Sequence, residues 1–263
     1  MVGSSEVPKD HPRYESLVTR EKIIEGMHQK IVAEAGLIAH GRGEAFDYIL
    51  GEETPPFALN QERLAVIMLL LAEKPIISVN GNIAVLCPRE LVMLSQLLEA
   101  PLEINLFYRK REREIAIEKV LKEAGAKEVF GIDPQNQSTI AEISHQRRIV
   151  DSRGIALADC VFVPLEDGDR TLALRKSEKN VITVDLNPLS RTSLAANVSI
   201  TNNIVRAIPE MLQLAQTYRK MSSKELKEER KQFNNEKLLQ EALVFMSSRL
   251  KEIANDKNIF EIL

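Results

Sequence analysis

Apolar residues in this chain of 263 fall into three regimes. Over residues 12 to 35 and 57 to 73 they recur at helical spacing, and Leu64-Ala65-Val66-Ile67-Met68-Leu69-Leu70-Leu71 is apolar enough for a buried helix. From Pro75 to Asn203 short runs of β-formers alternate with amphipathic stretches such as residues 112 to 124, and Glu210 just beyond starts another helix. That alternation is the mark of βαβ units, whose right-handed crossovers build a parallel sheet. After Tyr218 comes a charged run over 224 to 231 and then a helical pattern over 236 to 253, read as a solvated tail. The expected organisation is a helical portion over 1–74 packed on the core, a Rossmann-like nucleotide-binding core over 75–218, and a helical extension over 219–263. The expected fold class is α/β, doubly wound, with a mainly parallel sheet.

Five of the apolar runs end in polar clusters. Ile76-Ile77-Ser78-Val79 leads into Asn80-Gly81-Asn82, and the run over 102 to 108 leads into Arg109-Lys110-Arg111. Cys160-Val161-Phe162-Val163-Pro164-Leu165 leads into Glu166-Asp167-Gly168-Asp169-Arg170-Thr171, Val181-Ile182-Thr183-Val184 into Asp185-Leu186-Asn187, and Val198-Ser199-Ile200-Thr201 into Asn202-Asn203-Ile204. In a parallel sheet these clusters share one edge, the crevice where open α/β sheets bind ligands. Asn, Asp and Gly also make ordinary turns, but arginine is not a turn residue, and Arg109, Arg170 and Arg191 recur at these points.

A net charge of −3 and a pI near 5.9 create no general attraction for nucleic acid or an anionic membrane, so a cationic site must be local and its ligand small. The two cysteines, Cys87 and Cys160, sit in apolar surroundings and read as buried free thiols, which fits a reducing cytoplasm. No apolar stretch is long enough to span a bilayer, and Met1-Val2-Gly3-Ser4-Ser5-Glu6 lacks an apolar signal core, so a soluble intracellular protein is expected.

No Gly-x-x-x-x-Gly-Lys-Ser/Thr loop is present, and Gly41-Arg42-Gly43 continues as Glu44-Ala45-Phe46 rather than as a dinucleotide fingerprint after a strand. A standard kinase or dehydrogenase is disfavoured. The segment from Ala39 to Tyr48 reads instead as a joint between two helices, with a helix N-terminus after Gly43 adding its dipole to an anion site at Arg42.

Long motifs in one order extend this picture: His11-Pro12-Arg13-Tyr14, Thr19-Arg20-Glu21-Lys22, the stretch from Gly36 to Tyr48, Ser78-Val79-Asn80-Gly81-Asn82, the stretches from Glu103 to Arg109, Val163 to Thr171 and Asp185 to Thr192, and Asn203-Ile204-Val205-Arg206-Ala207. On these residues the chain resembles the archaeal phosphopantothenate synthetases, also called 4-phosphopantoate:β-alanine ligases, from His11 to about Pro209. The resemblance implies an ATP-dependent ligase of coenzyme A biosynthesis, acting as a homodimer, that joins 4-phosphopantoate to β-alanine and releases AMP and diphosphate through an acyl-adenylate. It places Arg20, Arg42, Asp185, Leu186, Asn187, Arg191, Thr192, Asn203 and Ile204 at ATP.

For the remaining roles the sequence offers candidates by residue type. Asn80, Asn82 and Arg109 stand at strand ends where the other substrates would bind, and Arg170 joins Asp167 and Asp169 at the reacting centre. Charge gathering on the phosphates implies Mg²⁺, for which Asp167, Asp169 and Asp185 are the oxygen ligands by type, against the alternative of helix caps. His40 stands to donate to a phosphate or to help deprotonate the β-alanine ammonium, against a structural histidine. His145 reads as part of a surface loop with no role. Two other classes remain open, a Rossmann-like oxidoreductase and a non-catalytic sensor of a nucleotide or phosphorylated metabolite.

Overall fold

The computed structural model describes residues 8–11, 13–143 and 145–256. Pro12, Ser144, the opening segment read above for a signal core and the last seven residues of the expected extension lie outside the described residues. Three helices come first, α1 (Tyr14–His28), α2 (Glu34–Leu50) and α3 (Pro56–Leu71). Then follow β1 (Pro75–Val79), α4 (Gly81–Leu86), α5 (Pro88–Leu98), β2 (Leu102–Ile104), α6 (Arg111–Glu123), β3 (Gln137–Thr139) and β4 (Ile149–Asp151). The chain continues as β5 (Cys160–Phe162), α7 (Gly168–Lys176), β6 (Asn180–Val184), α8 (Arg191–Ala195), β7 (Val198–Ile200), α9 (Ile204–Tyr218), α10 (Ser223–Arg230) and α11 (Asn235–Asn255).

The five expected strands form one parallel sheet in the order β2-β1-β5-β6-β7, with registers such as Ile77 opposite Leu102 and Ile182 opposite Val198. Both faces are covered, as the near-continuous apolar runs require. Ile77, Val79, Phe162, Ile182 and Val184 join the larger core with α3, α5 and α9, while Ile76, Val161, Val163 and Val181 join a smaller core under α7 and the β3–β4 ribbon. The chain steps from β1 outward to β2 and then returns to the other side of β1 as β5, so the order reverses between β1 and β5. Crevices open at such a reversal.

Three local expectations are corrected. The Gly41-Arg42-Gly43 segment is no joint: α2 runs unbroken through it, so no helix begins after Gly43 and no dipole acts there. Close approach needs glycine only earlier in α2, where a Cβ at Gly36 would crowd the side chain of Asn82; one at Gly43 would make ordinary contact with Leu186 at 3.4 Å, and one at Gly41 would meet open space. The helix expected from Glu210 begins at Ile204, where the Asn203 side chain caps Val205 N, and Pro209 sits within it. That proline forfeits one backbone bond, and packing of α9 on α3 and α5 holds the helix through it. The tail is not merely solvated, because α10 and α11 pack on α3 and bury Leu226, Leu238, Leu239, Ala242 and Met246, with the Phe57 and Phe245 rings in edge contact at 5.5 Å. An unforeseen antiparallel ribbon, β3 with β4, stands between α6 and β5. The cysteines are buried free thiols as expected, and burial pushes both pKa values up.

Candidate active site

At the carboxyl ends of the strands lies a crevice of about 800 Å³. Its floor is made by Asn80, Gly81 and Asn82 after β1, Leu165, Glu166 and Asp167 after β5, and Val184 to Asn187 after β6. One wall is α2, presenting Gly36, His40, Arg42, Gly43 and Phe46, and the opposite rim carries Leu106 to Tyr108, Arg113 and Arg147. Ser190, Thr192, Asn203 and Ile204 close the β6–β7 end.

Around β6 the polar run folds into a self-bonded loop. Asp185 accepts from Asn187 N at 2.9 Å and from Ser190 Oγ at 2.5 Å, and Asn187 Oδ1 accepts from Leu189 N at 2.9 Å. Ser190 in turn caps α8 at Ser193 N. Burial raises the Asp185 pKa, while its bonds to Ser190 and Asn187 and the charge of Arg42 oppose that rise. The Asn203 amide donates to Asp47 at 2.7 Å, and Arg206 forms an ion pair with the same carboxylate, tying the start of α9 to α2 across the crevice end. Among the described residues Arg42 itself has no carboxylate within ion-pair distance. Its charge stays available to a ligand.

At the strand-order reversal, Asn80 donates to Pro164 O at 2.9 Å and Leu165 O at 3.3 Å and caps Ile83 N, bridging β1 to β5. Leu165 adopts a positive φ of 55°, a conformation that β-carbon sterics oppose; it turns Glu166 and Asp167 toward the crevice. Glu166 pairs with both Arg147 and Arg170. Asp167 caps α7 at Arg170 N and pairs with Arg147 at 2.6 Å. Burial would raise the Asp167 pKa, but those bonds and charges outweigh it and hold the carboxyl below its usual range. His40 is partly buried, and desolvation lowers its pKa against the pull of Glu44 and Asp47. It is therefore neutral at pH 7 and able to accept a proton.

The structure thus gathers His40, Arg42, Asn80, Asn82, Asp167, Asp185, Leu186, Asn187, Thr192, Asn203 and Ile204 around one crevice. It places five other expected residues outside the lining. Arg20 is on the exposed surface of α1 beside Glu21, and Arg191 is exposed in an ion pair with Asp169. Arg109 is spent on Glu114 at 2.5 Å and on the carbonyls of Gly131 and Ile149. Arg170 is fully buried and bonds Ser78 and Glu166, so it reaches the crevice only through Glu166.

Arg113, Arg147 and Glu166 line the crevice without having been assigned a role by sequence reasoning. Arg113 was hidden in an amphipathic helix pattern. Arg147 was hidden in the segment read as a loop, where His145 accepts from Arg147 N and packs on Phe107 at 4.8 Å. No group of three or more His, Cys, Asp or Glu side chains suited to a metal occurs among the described residues. Of the carboxylates considered for Mg²⁺, Asp167 and Asp185 line the crevice and Asp169 does not. Those two carboxylates, one paired with Arg147 and the other bonded to Ser190 and Asn187, would give an ion few protein ligands, so phosphate and water would supply the rest.

The sequence profile of the family described as phosphopantothenate/pantothenate synthetase matches residues 57–249. The chain belongs to that family. Among its relatives are the proteins named 4-phosphopantoate--beta-alanine ligase from Thermococcus kodakarensis, 50% identical over 95% of each chain, and from Methanosarcina mazei, 48% identical over 95% of this chain and 98% of the relative. The protein of the same name from Thermococcus onnurineus is 50% identical over 94% of this chain and 95% of its own. In this synthetase-family chain the matched span runs from α3 into α11, so it includes the sheet, the strand-end loops and most of the two C-terminal helices. No helix among the described residues is long and apolar enough to cross a membrane.

Proposed function

We propose that this family member condenses (R)-4-phosphopantoate with β-alanine to give 4′-phosphopantothenate, a step of coenzyme A biosynthesis, with ATP cleaved to AMP and diphosphate through an acyl-adenylate. What supports it most is that seven residues which the family resemblance assigns to ATP, Arg42, Asp185, Leu186, Asn187, Thr192, Asn203 and Ile204, line one crevice. The β6–β7 end takes the nucleotide and the β1–β2 end takes the acid, so the carboxylate meets the α-phosphorus near the reversal between β1 and β5.

In this reading Arg42 binds phosphate oxygens, Asn187 and Asn203 hydrogen-bond the nucleoside, and Leu186 and Ile204 pack against it. Arg20 and Arg191 reach phosphate by leaving their present surface positions, Arg191 by exchanging Asp169 for the ligand. Asn80 and Asn82 orient the acid. Neutral His40 takes a proton from the β-alanine ammonium, freeing the amine to attack the acyl carbon and displace AMP. Asp167 and Asp185 would hold Mg²⁺, which supplies charge neutralisation on the phosphates. A cytoplasmic homodimer belongs to the same reading, supported by the buried free thiols and by exposed Leu172 and Leu194 on a shared shallow surface.

The route is tested with 4-phosphopantoate carrying oxygen-18 in its carboxylate. Turnover with β-alanine and ATP should deliver label to AMP, because the oxygen bridging to the α-phosphorus leaves with the nucleotide. Label in inorganic phosphate, with ADP as product, would show an acyl-phosphate route instead.

A further inference from the structure

Arg113 carries a charge that nothing in the described structure balances. It projects from α6 to the crevice, is 9% exposed, and is held by two neutral groups, Nη1 donating to Tyr108 O at 2.6 Å and Nη2 to Ile31 O at 2.8 Å. Its Nε is buried without a partner, and no carboxylate among the described residues lies within ion-pair distance. The neighbouring arginines differ: Arg147 is paired with Glu166 and Asp167, and Arg170 with Glu166. A buried cation is costly unless an anion meets it. Desolvation accordingly lowers the Arg113 pKa.

The surroundings are shaped for that guanidinium. A Cβ at Gly81 would stand 3.1 Å from Arg113 Nη2 and collide with the Ile31 carbonyl oxygen, so only glycine lets the group lie against the turn after β1. Arg147, close enough to feel the Arg113 charge, lies 5.5 Å from the Phe107 ring centroid on the same rim. Arg42, the other crevice arginine without an ion pair, stands near Asp185 toward the opposite end. Two unbalanced arginines at two ends match two separate anionic groups.

We infer that Arg113 binds the monoester phosphate of 4-phosphopantoate, assisted by Arg147, and so makes the enzyme select a phosphorylated acid over its unphosphorylated form. The assignment rests on the proposed ligase activity. Two carbonyl anchors fix the guanidinium plane, and each Nη keeps a second N–H for the phosphate.

The test compares wild type, Arg113→Gln and Arg113→Lys in steady-state AMP formation with 4-phosphopantoate or pantoate as the acid. Wild type should prefer the phosphorylated acid, and R113Q should lose about 100-fold in kcat/KM for it, mainly through KM. The preference over pantoate should collapse with it, whereas KM for ATP should change little. R113K should keep part of the preference, since a point charge replaces the fork incompletely, and it decides the matter alone if R113Q does not fold. Equal proportional losses for both acids would make Arg113 a purely structural clamp. A wild type indifferent to the phosphate would overturn the assignment too. If wild type forms no AMP from 4-phosphopantoate and β-alanine, the ligase reading itself falls; if it does, and both variants keep the wild-type preference, only the Arg113 assignment falls.

Discussion

Replacing Glu62 by Gln should stabilise the protein at neutral pH. Glu62 is fully buried on α3, where Oε1 accepts from Asn202 Nδ2 at 2.9 Å and Oε2 has no partner. Burial pushes its pKa from 4.5 to about 9, the Asn202 bond opposes the rise, and the charge of Glu210 adds to it. Between those two pH values the unfolded chain releases the proton while the folded protein retains it, so stability falls as pH rises from 4.5 towards 9. Each pH unit in that window costs about 1.4 kcal/mol, or about 3 kcal/mol by pH 7. Glutamine keeps the shape, its carbonyl still accepts from Asn202, and its amide faces Glu210 without a proton to lose. Thermal melts of wild type and E62Q from pH 5 to 9 should therefore diverge with pH, E62Q leading by about 5–10 °C at pH 7 for a chain of this size. A difference that stays constant across the range, or that favours wild type at pH 8, would show that Glu62 is ionised in the folded state and refute the reasoning.

Arg42→Ala should weaken ATP binding by about 10- to 100-fold while lowering the ligand-free melting temperature little, because the side chain is exposed and unpaired; Lys should rescue only part, and calorimetric titration with wild-type affinity would remove Arg42 from the site. The kcat/KM for β-alanine should be level through neutral pH and fall only at a pH below the ordinary imidazole range, as His40 takes a proton, since desolvation lowers its pKa; an H40Q variant that keeps the same acid limb would assign the limb to another group. Asp47→Asn strips the ion pair from Arg206, which is partly exposed, so a loss of about 2–3 kcal/mol in urea unfolding is expected, together with weaker ATP binding through Asn203; unchanged ATP affinity would limit Asp47 to stability.

Periodicity alone located the five parallel strands and the edge where the crevice opens, because strands buried on both faces must be near-continuously apolar and turn polar where they meet solvent. The order of strands, and hence the reversal between β1 and β5, depends on pairing between residues far apart in the chain, such as Pro75 with Cys160. The motif residues of the strand-end loops were legible as candidates, yet Arg109, Arg170 and Arg113 look alike as sequence. Burial and partners separate them: one is spent on Glu114 and two carbonyls, one lies beneath the floor against Glu166, and one reaches the crevice with no counter-charge. The glycines of 41 and 43 resembled a turn because a helix interior disfavours glycine by about 1 kcal/mol; in place, α2 runs through both as one continuous helix along the crevice. The charge of each arginine belongs to the sequence, but whether that charge is free to bind a ligand depends on which carboxylates the fold brings within reach.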